Sequence, residues 1–92
     1  MGDVFAALAH PVRRKILNLL RNGHMSAGDL AAHFELAKPT LSGHFAVLKA
    51  ADLVTTQRKG TTVFYRLNMS VLEEALAALM SLAGARLPGG EP

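Results

Sequence analysis

The spacing of apolar residues changes abruptly at Leu53. Before it, apolar side chains recur at intervals of three and four, as on a helix that buries one face. In "LVTTQRKGTTVFYRL", Leu53 to Leu67, β-branched and aromatic residues dominate and Lys59-Gly60 divides the run in two. This predicts a β-hairpin with Val63, Tyr65 and Leu67 on one face. From Ser70 the helical spacing returns. One hairpin set among helices in 92 residues leaves room for one small domain and one core.

The helices can be placed by their ends. Asp3 is positioned to cap a short helix through "VFAALA", which stops near His10-Pro11. Pro11 suits the first turn of a second helix that turns Val12, Ile16, Leu19 and Leu20 inward, with Gly23 as its left-handed stop. In "SAGDLAAHF", Ser26 and Asp29 have the spacing of a capping box, and Leu30, Ala31 and Phe34 face the core. After a turn at Glu35-Leu36-Ala37, the helix Lys38–Ala50 carries one narrow apolar stripe, Leu41, Phe45 and Leu48. The last helix is expected to open on a second capping box, Ser70 with Glu73. It carries Leu72, Leu76, Leu79, Met80 and Ala83, a stripe broad enough for more than one partner, and Gly84 can end it.

The order is helix, helix, helix, turn, helix, two-stranded hairpin, helix. That is a mainly α fold with a small β-hairpin, a winged helix-turn-helix (α-α-α-α-β-β-α). The folded domain is expected over residues 1–84, and the Pro/Gly-rich segment 85–92 as a disordered tail.

Several function classes drop out early. The chain has no cysteine, which excludes disulfides and thiolate metal sites. His10, His24, His33 and His44 never fall three or four apart, so no pair shares a helical face as metal ligands do. Neither a Gly-x-Ser-x-Gly turn nor a phosphate loop occurs, so the expectation is a non-enzyme without metal or cofactor. The start, "MGDVFAALAH", has neither the basic flank of a signal peptide nor the length to span a bilayer. A soluble, cytoplasmic protein is expected.

Charge is distributed unevenly. Residues 36–68 hold Lys38, Lys49, Arg58, Lys59 and Arg66 against Asp52 alone, whereas residues 69–92 hold Glu73, Glu74 and Glu91 against Arg86. A basic middle beside an acidic end suggests a face for a polyanion. The helix at Lys38–Ala50 sharpens that suggestion, because no acid occurs between Ala37 and Ala51. With Leu41, Phe45 and Leu48 inward, Pro39, Thr40, Gly43 and Ala46 point away, flanked by Lys38 and Ser42. Small residues let a helix approach a groove closely, and hydroxyls and free first-turn amides suit base edges and phosphates. The hairpin tip, Arg58, Lys59, Gly60, Thr61 and Thr62, is basic and suited to phosphate or minor-groove contact. Arg13 and Arg14 either touch the DNA backbone or pair with Asp3 or Glu35.

Three segments in this order, "FAALAHPVRRKILNLL", "MSAGDLAAHFELAKPTLSGHFAVLKAADLV" and "RKGTTVFYRLN", resemble the ArsR family of bacterial winged-helix repressors, in its small SdpR-like autorepressor branch. The resemblance covers roughly Val4 to Ala83. It implies a homodimer paired through the first and last helices, with Val4, Phe5, Leu8, Leu72, Leu76, Leu79 and Met80 at the interface. It further implies that the helix from Lys38 enters the DNA major groove while the Arg58–Thr62 wing flanks it. Carried over by position, the recognition-helix residues are Lys38, Pro39, Thr40, Ser42, Gly43 and His44. Metal-sensing members place cysteines before the recognition helix, where this chain has "HMSAGDL". Others place Asp and His ligands on the last helix, where it has "SVLEEALAALMSLAG". Two departures concern helix ends: Ala37 stands where Ser or Thr is common, and Asp52 where glycine is common.

The implied function is sequence-specific repression by a homodimer bound to double-stranded DNA at an inverted repeat, without direct membrane insertion. Two alternatives remain open at this stage. One is a ligand- or metal-responsive repressor of the same fold; the other is a winged helix that serves as an interaction module for a regulatory protein partner.

Overall fold

The computed structural model describes residues 3–84. The tail expected over residues 85–92 lies outside the described residues. The chain runs α1 (Val4–Leu8), α2 (Pro11–Leu19), β1 (Met25–Ser26), α3 (Ala27–Ala31), α4 (Lys38–Ala50), β2 (Val54–Lys59), β3 (Thr62–Leu67) and α5 (Met69–Leu82). This is the mainly α winged helix-turn-helix, with one addition. The two-residue β1 pairs antiparallel with β3, Met25 opposite Tyr65 and Ser26 opposite Phe64, so the sheet has three strands in the order β1-β3-β2. Two residues are too few to show an alternating pattern. Their strand character comes from the free edge of β3.

Local chemistry sets most of the boundaries. The Asp3 carboxylate accepts from the Phe5 N–H at 2.9 Å and starts α1. His10 caps α2, its Nδ1 accepting from the Val12 N–H at 3.1 Å, and Pro11 follows at the first position, where a missing N–H costs nothing. A 3₁₀ turn, Leu20–Asn22, extends α2 and ends at Gly23, whose φ of 145° only glycine adopts readily. Ser26 Oγ accepts from the Asp29 N–H at 3.0 Å and opens α3. The second capping box does not form. Asn68, not Ser70, precedes α5, and no side chain bonds to the helix start. The Asn68 N–H is held by the Leu53 carbonyl at 2.9 Å. That bond ties the end of β3 to the start of β2, and Ser70 falls inside the first turn.

The core lies where α2, α3 and α4 meet the sheet. Ile16, Leu30, Leu48 and Leu53 are its largest fully buried side chains. Leu41 and Phe45 complete the α4 stripe, as its spacing predicts. Leu17, outside the stripe read for α2, is buried as well, because α2 packs against both α1 and α4. Cutting Leu48 to alanine would cost about 2–5 kcal/mol, the usual range for a buried leucine. Among the described residues the buried set contains no polar or charged side chain.

Candidate nucleic-acid interface

Helix α4 turns one side to the core and the other to solvent. Lys38, Pro39, Thr40, Ser42, Gly43 and Ala46 are all exposed. Ala37 sits at the cap with extended backbone, and no side chain bonds to the helix start. First-turn amides are thereby left to an outside acceptor, and phosphate oxygens suit them in charge and geometry. A Cβ built on Gly43 would meet no atom within 4 Å. Nothing inside the described fold requires glycine at that position.

The wing tip is a two-residue turn. Lys59 pairs with Thr62, and Gly60 takes the first central position with φ 63°, a place that hairpin turns give to glycine. Arg58, Lys59, Gly60, Thr61 and Thr62 are all exposed. Strand register then sorts the charges. Arg58 lies opposite Val63, on the face shared with Val54, Thr56, Tyr65 and Leu67; Lys59 lies on the other face with Thr55, Gln57, Phe64 and Arg66. The two adjacent cations therefore leave on opposite sides of the wing.

On the outer side, His24 meets the Phe64 ring edge-on at 5.3 Å, and with Gln57, Lys59 and Arg66 it lines a cleft. The sequence marks His24 only as one of four histidines and Arg66 only as one cation of the basic middle, neither as part of a cleft on the wing. Arg66 was within reach, since it alternates with Phe64. His24 was not, because only the pairing of β1 brings it there.

His44 stands apart from the other α4 candidates. The residue is half-buried, with Nδ1 3.1 Å from Arg13 Nη1 and the ring centroid 4.5 Å from that of His10, tilted by 52°. Loss of water on burial, then the neighbouring charges of His10 and Arg13, hold His44 below the usual histidine range. The arginines of α2 do not pair with Asp3 or Glu35. Arg13 donates to the carbonyls of Ala7 at 2.8 Å and Ala6 at 3.1 Å, and Arg14 to that of Leu8 at 2.9 Å. They serve the last carbonyls of α1, where positive groups are favoured.

A second surface is apolar. Val4, Leu8, Leu72 and Met80 are half-buried, whereas Phe5 is 45% exposed and Leu76 and Leu79 are each 47% exposed. Leu82 is 85% exposed. Within α5 only Ala75 is buried. Large apolar side chains of α1 and α5 therefore face outward in the single chain.

Among the described residues, no group of three His, Cys, Asp or Glu side chains is placed to hold a metal ion. No helix among them is long and apolar enough to cross a membrane.

The model of bacterial regulatory proteins of the arsR family matches residues 10–56, from the cap of α2 into β2. The transcriptional repressor SdpR of Bacillus subtilis is 46% identical over 76 residues, covering 83% of this chain and 84% of that protein. The chain belongs to the ArsR family. A further relative, the arsenical resistance operon repressor of Staphylococcus aureus, is 35% identical over 79 residues, covering 86% of this chain and 76% of that protein. The fold agrees with the crystal structure of a possible transcriptional regulator for arsenical resistance, with TM-score 0.81 and 34% identity over 89% of this chain and 85% of that one. As an ArsR-family member the protein is a DNA-binding transcriptional regulator without an evident metal-binding motif among its described residues.

Proposed function

We propose that the protein represses transcription as a cytoplasmic homodimer bound to an inverted-repeat operator, with no metal as its signal. In this reading Lys38, Pro39, Thr40, Ser42 and Gly43 of α4 lie in the major groove, and Arg58, Lys59, Gly60, Thr61 and Thr62 of the wing lie along the flanking backbone. Thr40 and Ser42 reach base edges or phosphates, while Lys38, Arg58 and Lys59 meet phosphates. Val4, Phe5, Leu8, Leu72, Leu76, Leu79 and Met80 pair across the two-fold axis. His44 supports the helix from behind.

One observation carries the reading. The outward face of α4 holds no acid and is built from small residues, and the missing Cβ of Gly43 serves no contact inside the protein. Acid exclusion is what a phosphate-facing surface needs, and missing bulk is what a groove-entering helix needs. The outward apolar residues of α1 and α5 support the dimer, since an exposed apolar patch marks an interaction surface. Repression is inferred from the likeness to the transcriptional repressor SdpR of B. subtilis.

Selection of duplexes from a random DNA pool, followed by fluorescence anisotropy, tests this. A dimer should enrich an inverted repeat with half-site centres about 10 base pairs, or one helical turn, apart. Enrichment of a lone asymmetric site would contradict the dimer. No preference over random duplex at low salt would contradict sequence-specific repression.

A further inference from the structure

Arg13 reaches three groups on two helices. Its Nε and Nη2 hold the carbonyls of Ala7 and Ala6 at the end of α1, and its Nη1 lies 3.1 Å from Nδ1 of His44 on α4. One guanidinium thus fastens the helix that carries Phe5 and Leu8 to the helix that carries Thr40 and Ser42.

The chemistry of that contact fixes a protonation state. A guanidinium only donates, so His44 Nδ1 must accept, and the neutral ring carries its proton on Nε2. His10 is constrained alike, because its Nδ1 accepts from the Val12 N–H at 3.1 Å. Two rings with centroids 4.5 Å apart therefore both present Nδ1 as an acceptor, and that of His44 faces a permanent cation. A proton on His44 Nδ1 would set donor against donor at Arg13 and place a new charge against that cation. The groups facing His44 are His10, from the α1–α2 junction, and Arg13, from α2. From α1 come only backbone carbonyls, through Arg13, and α4 itself contains Lys38 and Lys49 but no acid.

We propose that Arg13 is a positioning residue that locks α4 to α1 only while His44 is unprotonated, so that mild acid loosens docking on DNA. The direction is diagnostic. Protonating histidines on a basic protein by itself strengthens attraction to phosphates. Release of the clamp does the opposite. The inference rests on α4 being the helix that enters DNA, but the state of the clamp can be read without DNA.

Two measurements on the full chain test it. In the first, NMR titration of the His44 imidazole should show the Nε2–H tautomer and a midpoint below the ordinary 6.5, rising in Arg13→Gln. A midpoint at or above 6.5 in the unmodified chain, or one that Arg13→Gln leaves in place, overturns the clamp. In the second, anisotropy on a selected duplex should show affinity about twofold or more weaker at about pH 5 than at about pH 7.5. His44→Gln keeps an acceptor for Arg13 but cannot titrate, so it should lose that weakening whatever its affinity at the higher pH. If His44→Gln keeps the full acid loss, the switch is overturned. If the imidazole titrates as described but acid leaves wild-type affinity intact, the clamp exists and its link to DNA docking fails.

Discussion

The Leu53 N–H donates to the Leu48 carbonyl at 3.0 Å, and this bond decides where α4 stops. The Asp52 N–H reaches the Lys49 carbonyl at 3.0 Å at the same place. Together they form the six-to-one and five-to-two pair of a Schellman motif, with Leu48 and Leu53 both fully buried as its apolar contact. The motif requires a left-handed residue between them, and Asp52 supplies it at φ 60°.

Asp52 is costly in that role. A left-handed side-chain-bearing residue is strained by about 1–2 kcal/mol, somewhat less for Asp, and its charge sits at the unfavourable end of the helix dipole. Asp52→Gly relieves both, against about 0.5–1 kcal/mol for the greater freedom of glycine in the unfolded chain. The net expectation is about 0.5–1 kcal/mol of added stability, measured as a higher urea midpoint at unchanged slope. A lower midpoint would show that the Asp52 side chain contributes a contact of its own.

Gly43→Ala should separate folding from reading. The open space around Gly43 admits a methyl group, and alanine is about 1 kcal/mol better inside a helix. The variant should therefore unfold later and yet bind the selected duplex more weakly. Equal or tighter binding would show that α4 does not approach DNA at Gly43.

The fold was largely legible because its decisive signals are local. The change of period at Leu53, the α4 stripe and the glycine at the wing tip are each read within a few neighbours. What escaped is non-local. Strand β1 exists because Met25 and Ser26 meet Tyr65 and Phe64 about forty residues later. The contact of Arg13 with His44 spans 31 positions, and no spacing rule pairs residues that far apart. The box at Ser70 failed for a similar reason, since the Leu53 carbonyl holds Asn68 and moves the helix start. Of the interface, sequence marked the outward residues of α4 and the wing; strand register added that Arg58 and Lys59 face opposite ways.

Leu76→Glu tests the apolar face. Leu76 is 47% exposed in the single chain, so the charge should leave the monomer fold intact and disrupt pairing across α5. Sedimentation should then report monomers, with weaker binding to an inverted repeat. A dimer that survives the substitution would place the interface elsewhere.

Stability should fall in mild acid. His44 is held below its ordinary pKa in the folded chain, so the unfolded chain takes up this proton first as pH drops. The contribution of His44 is complete above the ordinary 6.5, declines as pH falls through the window down to the folded value, and levels off below it. Urea unfolding at several pH values should show this decline, reduced in His44→Gln. An equal decline in that variant would assign the effect to other groups.

The surface proposed to meet phosphates is made of α4 and the wing. Its most direct test is the salt dependence of binding to the selected duplex for Lys38→Ala and Arg58→Ala. Each should weaken binding to specific and random duplex alike and reduce the slope of log affinity against log salt by about one unit. Affinity and slope that match the unmodified protein in both variants would contradict the proposed docking face.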